Sequence, residues 1–323
     1  MPTRKNPRYG TMQFWPRKRA SKETGLVRSW ANLKETNALG FAGYKAGMMH
    51  LIVTDNRAKS KTKGQDLQIP VTVVECPPIK VIGIRFYKNT SYGLKAVYDK
   101  VANSYDKEVQ KKITNPKKKQ EEKEIDFDDL HLIVHTQPKL AKALGKKIPD
   151  IFELAISGSK EDKLNYAKEK LGQEIKISDV FKEGQQVDIH AVTRGKGFQG
   201  VVKKHGVSIK QHKSEKGKRT ASPSGSWNRE NQTMWRNPRP GKMGYWLRTH
   251  YNHQIIKIDD NIDLVKPKAG IKHFGEVKNT YILVKGSLPG PKKRIVRLNH
   301  AIRPNDKIPN QAPEIAYMHI EGM

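Results

Sequence analysis

The stretch Gln186–Thr193, QVDIHAVT, runs straight into Arg194–Gly200, RGKGFQG, and that join decides how the chain is read. In the first half Val187, Ile189 and Ala191 alternate with Asp188 and His190, the period of two that marks a half-buried strand. After Thr193 the alternation stops. From Val201 to Arg248 neither the helical nor the strand period recurs, and Gly, Pro, Ser and Asn fill the spaces between cations. Lys203, Lys204, Lys210, Lys213, Lys216, Lys218, Arg219, Arg229, Arg236, Arg239, Lys242 and Arg248 stand against Glu215 and Glu230 alone, a net of +10. Such a segment has too little apolar surface to offset the entropy of ordering it, so it is expected to leave the core as an extension that cannot pack on itself. Trp227, Trp235 and Trp246 are scattered through it. A merely solvated basic linker has no use for flat aromatic rings, whereas a polyanion with bases to stack upon does, which points to RNA.

The rest of the composition agrees. Lys and Arg outnumber Asp and Glu by 62 to 32 over 323 residues, giving a formal charge of +30, with 36% hydrophobic residues. Mean hydropathy is −0.76 and the isoelectric point is near 10.0. That excess exceeds what solubility requires and implies a polyanionic partner. An anionic membrane is the competing partner, but the sequence has no basic amphipathic helix and no apolar run approaching the ~20 residues of a span. The first twenty residues are basic without an apolar core, which is not a secretory signal, so a cytoplasmic location is expected. Cys76 is the single cysteine, which excludes an internal disulfide and any Cys-rich zinc site and suits a small buried side chain.

Residues 1–39 read as an extended basic arm. Arg4, Lys5, Arg8, Arg17, Lys18 and Arg19 interleave with Trp15 and other aromatics, and Pro2, Pro7 and Pro16 prevent a long helix. Residues 40–98 read as the first part of a β-barrel, with strands at Gly47–Thr54, Val71–Cys76 and Ile79–Tyr87. Residues 99–174 differ in chemistry, with 15 acidic and 16 basic residues, and read as an inserted α+β subdomain. Within it Leu130–His135 and Ile151–Ile156 read as strands, and Ser159 caps a helix running to about Leu171, with Leu164, Ala167 and Leu171 on one face and Gly172 as terminator. The barrel resumes over 175–200, the basic extension occupies 201–250, and 251–323 complete the barrel through Tyr281–Lys285, Arg294–Leu298 and Ile315–Ile320. Short strands with turn-rich links and no βαβ alternation predict a mainly β protein, an antiparallel barrel rather than a doubly wound sheet, with an α+β insertion.

Three motifs invite chemistry. Gly195-Lys196-Gly197-Phe198-Gln199-Gly200 has the glycine spacing of a dinucleotide fingerprint, but that fold needs a following helix and an acid about 20 positions on. Residues 201–207 read as non-helical and Lys218–Thr220 occupy the place of the acid, so the glycines are read as a turn approaching phosphate, with Lys196 adding charge. His250 and His253 could share one face of a helical turn, yet no carboxylate or thiolate stands near to complete a metal site. Lys285-Gly-Ser-Leu-Pro-Gly-Pro-Lys292-Lys293-Arg294 is a glycine/proline loop entering a triple cation, a second phosphate contact. No catalytic constellation can be singled out. A basic RNA-modifying enzyme and a DNA-compacting protein are the rival readings. An enzyme should show a cofactor or catalytic constellation, and a compactor has little use for dispersed tryptophans.

Phe41-Ala-Gly-Tyr-Lys45-Ala-Gly-Met48, Phe181-x6-Asp188-x2-Ala191-x-Thr193-x-Gly195-Lys196-Gly197-x2-Gly200 and Lys285-Gly-Ser-x-Pro-Gly290 stand in an order that resembles the universal large-subunit ribosomal protein L-three family, archaeal type. The resemblance implies a Greek-key barrel with extensions that thread large-subunit ribosomal RNA, with other large-subunit proteins as neighbours and no membrane, free homo-oligomer, cofactor, metal or catalytic residue. It also implies a central extension reaching towards the peptidyl transferase centre, with Trp227 in Gly225-Ser-Trp-Asn228 at its tip. Lys45 joins the expected RNA contacts through its motif, and Trp15, Trp235 and Trp246 are the stacking candidates. Two positions depart from the family pattern: Arg229 stands where proline is frequent, and Trp246 where histidine is common.

Overall fold

A computed structural model describes residues 14–102, 104–114, 126–213, 216–221 and 237–319. Its strands are β1 (Gly40–Thr54), β2 (Asp66–Glu75), β3 (Ile79–Thr90), β4 (Gly93–Val101), β5 (Asp129–His135), β6 (Ile151–Ala155), β7 (Glu174–Ile175), β8 (Gln186–Val192), β9 (Phe198–Gln199), β10 (Gly241–Lys242), β11 (Leu247–Asp259), β12 (Tyr281–Lys285), β13 (Ile295–His300) and β14 (Ile315–His319). Its helices are α1 (Lys160–Lys170), α2 (Ile177–Val180) and α3 (Val201–His205). The chain divides into two compact units, Glu23–Ala191 with Arg248–Met323, and Met1–Lys22 with Val192–Leu247.

The larger unit holds a closed barrel. The sheet order β13-β8-β11-β12-β2-β1 returns on itself because β1 also pairs β13. Within that ring β13, β8, β11 and β12 lie side by side in the order fourth, first, second, third, which is the Greek key. β1 is long enough to carry two partners along one edge, β13 at Gly40–Tyr44 and β14 at His50–Val53, while β2 runs along its other edge. Closure brings backbones very near. A Cβ on Gly43 would lie 2.6 Å from both Cys76 Sγ and Val74 Cγ1, so the glycine of the first motif is a packing requirement of the barrel. Cys76 is buried there.

A second antiparallel sheet, β4-β3-β5-β6 with β7 on β3, packs its apolar face into the same core. β3 and β4 therefore belong to this sheet, although the sequence placed Ile79–Tyr87 in the barrel. Pro77-Pro78 sits where β2 ends and the chain changes sheet, which composition alone does not distinguish from a hairpin turn. The Ser159 cap is observed, with its oxygen accepting from Asp162 N, and Ala167 is buried between Leu164 and Leu171 on the core side of α1.

β8 departs from its half-buried expectation, since all seven of its residues are buried. The polar members pair inside: Asp188 accepts from Asn252 N at 2.9 Å and from Ile302 N at 3.0 Å, and His190 Nδ1 meets Thr249 Oγ1 at 2.9 Å. Burial, then the charge of Arg297, pushes the His190 imidazole down to about 4. Arg297 is itself only 4% exposed. It donates to Gly25 O at 2.9 Å and Glu153 O at 2.6 Å and lies over the rings of Trp30 and Phe152. One buried guanidinium thus ties residues of the N-terminal segment and the second sheet to β13, and burial lowers it to about 9 against the opposing pull of Glu153.

Candidate nucleic-acid interface

The smaller unit is built on a narrow ribbon. β9 pairs β10 antiparallel, Lys196 N donates to Met243 O at 2.9 Å, and Met243 N donates to Gly197 O at 2.8 Å. Next to it Gly244 has φ +77, and a Cβ there would meet Arg194 O at 2.1 Å, so glycine is required. Thr193 and Trp246 close the base, Thr193 N donating to Trp246 O at 3.0 Å and Trp246 N to Thr193 Oγ1 at 3.1 Å. The glycines of the 195–200 motif are followed by the short helix α3, stopped by Gly206 at φ +68, where the sequence was read as non-helical. Two valines and two lysines before a left-handed glycine carry one turn, too short for a periodicity to register. No acid stands at Lys218–Thr220, so the dinucleotide reading fails on that ground.

Arg17 organises this unit. Its guanidinium lies 5.7 Å from the Trp15 ring centroid and 5.6 Å from that of Trp246, and Nη1 donates to Lys204 O at 2.6 Å. The same nitrogen lies 3.3 Å from His205 Nδ1, while His205 Nε2 faces Arg239 O at 3.1 Å. That pattern requires the neutral imidazole with its proton on Nε2. Trp15 stacks on His205 with ring centroids 5.6 Å apart. Burial and the Arg17 charge hold His205 below the ordinary imidazole range, and burial and Arg17 likewise lower Lys204. Alongside, Arg19 lies over Tyr245 at 5.5 Å and Ala20 N donates to Tyr245 O at 2.8 Å. The described part of the stretch after Thr193 does pack, contrary to the expectation from its composition. Its core is supplied by residues 14–22, nearly 200 positions away, and its cement is aromatic and cationic rather than aliphatic.

The described residues of this unit carry fifteen Lys and Arg and no Asp or Glu. Lys18, Arg19, Lys196, Lys203, Lys213, Lys216, Lys218, Arg219, Arg239 and Lys242 are exposed, Lys210 is half-buried, and Lys204 is half-buried with its Nζ beside Gly241. Arg17, Trp15 and Trp246, expected on RNA, are engaged with one another. Arg4, Lys5, Arg8, Trp227, Arg229, Trp235 and Arg236 lie outside the described residues. Within the larger unit Arg248, Lys285, Lys292 and Arg294 are half-buried and Lys293 is exposed. Lys292 Nζ donates to Lys272 O at 2.7 Å. Lys45 departs from the expected exposed RNA contact: only 8% exposed, its ammonium donates to Leu288 O at 2.7 Å and Gly290 O at 3.1 Å, so it braces the 286–290 loop from within. His250 and His253 lie on β11, not on a helix, with stacked rings 5.6 Å apart. Among the described residues no group of three His, Cys, Asp or Glu could hold a metal, and no helix is long and apolar enough to cross a membrane. Sequence reasoning missed His205 as a hub, because a lone histidine between lysines carries no local signal.

The sequence profile of the family described as Ribosomal protein L3 matches residues 1–322. The chain belongs to the ribosomal protein L3 family. It is 46% identical to the large ribosomal subunit protein uL3 of Methanobrevibacter smithii over 97% of this chain and 96% of that protein. It is 44% identical to uL3 of Methanosphaera stadtmanae, over 97% and 96%, and 41% identical to uL3 of Archaeoglobus fulgidus, over 92% of each chain. Membership in the L3 family makes the chain a structural constituent of the large subunit of the cytoplasmic ribosome, a class named for its place in a particle and not for a reaction.

Proposed function

We propose that this L3-family chain binds large-subunit ribosomal RNA through its smaller unit, that the contact supports subunit assembly, and that the segment around Trp227 reaches towards the peptidyl transferase centre. The observation that carries the RNA contact is the run of fifteen cations without one acid in the described part of that unit. Cations packed this closely repel each other until an outside polyanion neutralises them, and a phosphate backbone does so while releasing its own counterions. Within the larger unit Lys293 is a further exposed cation. The reach of the Trp227 segment rests on the likeness of Gly225-Ser-Trp-Asn228 to the family's tip.

The test is a salt titration of binding to purified large-subunit ribosomal RNA. Log K should fall linearly with log salt, by roughly 0.7 to 0.9 per phosphate contact. Replacing Lys196, Lys203, Lys213, Lys218 and Arg219 by Ala should flatten that slope by several contacts. An unchanged slope places the RNA contact elsewhere on the molecule.

A further inference from the structure

A lone exposed phenylalanine on an ordinary surface needs no explanation. Phe198 is not on an ordinary surface. It is 71% exposed, the most exposed large apolar residue in the described part of the basic unit. It sits on β9 directly across from Lys242 on β10, so the ring and the lysine stem share one face of the ribbon with their Cβ atoms about 5 Å apart. Among the described residues, a Cβ on Gly200 meets nothing within 4 Å and one on Gly195 meets only Tyr245 Cβ at 3.9 Å, and neither glycine has a positive φ. The fold therefore requires neither glycine, and what their lack of side chains provides is room for something outside to come close.

We propose that Phe198 is a platform on which one unpaired RNA base stacks, with Lys242 beside it for that nucleotide's phosphate. This rests on the RNA-binding reading above and adds the class of nucleotide, single-stranded rather than paired, that the ribbon takes. An aromatic face stacks on any base without hydrogen-bond readout, and a flanking cation anchors the backbone that carries it. The other candidate occupant is an apolar side chain of a neighbouring protein.

The full chain is titrated with two probes, a labelled 12-nucleotide single-stranded RNA and a blunt RNA duplex of the same length. Phe198→Ala is expected to weaken the single strand about 5- to 150-fold, to leave the duplex unchanged, and to leave the slope against log salt unchanged because no charge is lost. Phe198→Trp should bind as the parent does, and Phe198→Leu, apolar but without a flat ring, should bind as the alanine variant. Lys242→Ala should instead flatten the single-strand slope by about 0.7. If the parent binds both probes and Phe198→Ala matches it on both, stacking is overturned while RNA binding stands, and the protein-neighbour occupant takes its place. Equal weakening on both probes, or retention by Phe198→Leu, also overturns stacking. Failure of the parent to bind either probe overturns the RNA-binding reading itself, and stacking with it.

Discussion

His205 is neutral because Arg17 donates to the nitrogen that a second proton would occupy. Its folded value lies below that of an unconstrained imidazole, which is about 6.5. The unfolded chain therefore takes up a proton first as pH falls. The stability this histidine lends is complete above about 6.5 and is lost as pH drops towards the lowered folded value. Amide protection at Lys204 and Gly206, corrected for intrinsic exchange, should accordingly hold steady down to about pH 6.5 and decline below it. His205→Phe keeps a ring against Trp15 and should abolish the pH dependence, while a flat profile in the parent protein would count against this role. Trp227 poses a different question at the same scale. A core tryptophan replaced by Ala costs roughly 3–5 kcal/mol, whereas a tip residue belongs to no core. Trp227→Ala should leave melting of the free protein nearly unchanged and permit near-normal incorporation into large subunits. Purified subunits should then be slow in aminoacyl-tRNA accommodation or peptidyl transfer. Early melting, or parental kinetics at both steps, removes Trp227 from the tip.

The β9–β10 ribbon and α3 show how a basic segment with few aliphatic residues becomes ordered. Aromatic faces accept a guanidinium and backbone carbonyls accept its protons, with no carboxylate among the described residues of the unit. This separates cations that hold the element together from cations that only decorate it. Limited trypsin digestion of the free protein should separate them too. Cleavage is expected after the exposed Lys213, Lys218 and Arg219, and Arg17 and Lys204 should be spared, since the first is wedged between rings and the second lies inside α3. Equal cleavage at Arg17 and Arg219 would show that the unit is not formed without RNA.

Each of the two units has its own source of stability. The larger closes a ring of strands over aliphatic clusters, and the smaller rests on the Arg17 hub. Because Met243 N reaches Gly197 O, residues 198–242 leave and re-enter at one point, so a short glycine-serine linker can replace them. That deletion should leave the melting temperature of the barrel within a few degrees of the parent, because its buried clusters lie almost wholly outside the excised span. Affinity for ribosomal RNA and its salt slope should both fall sharply. Collapse of the barrel on deletion would mean that the basic unit is a folding partner rather than an appended binding surface.

Local order and composition settle what depends on neighbours along the chain. Period-two alternation and turn residues specified an antiparallel β protein, the Ser159 cap specified the start of α1, and three ordered motifs specified the family, while the charge excess pointed towards a polyanionic partner. What depends on distant segments meeting was decided only in three dimensions. The alternation of β8 promised one wet face, but strand closure and the Arg297 clamp buried both. Lys45 reads as one more cation, yet its backbone position on β1 points the ammonium at two loop carbonyls. Arg17 and His205 lie 188 positions apart, and each alone is an unremarked basic residue. A charge declares its sign in sequence, but whether it faces phosphate, ring or carbonyl is set by which elements pack around it, because desolvation and pairing act through space and not along the chain.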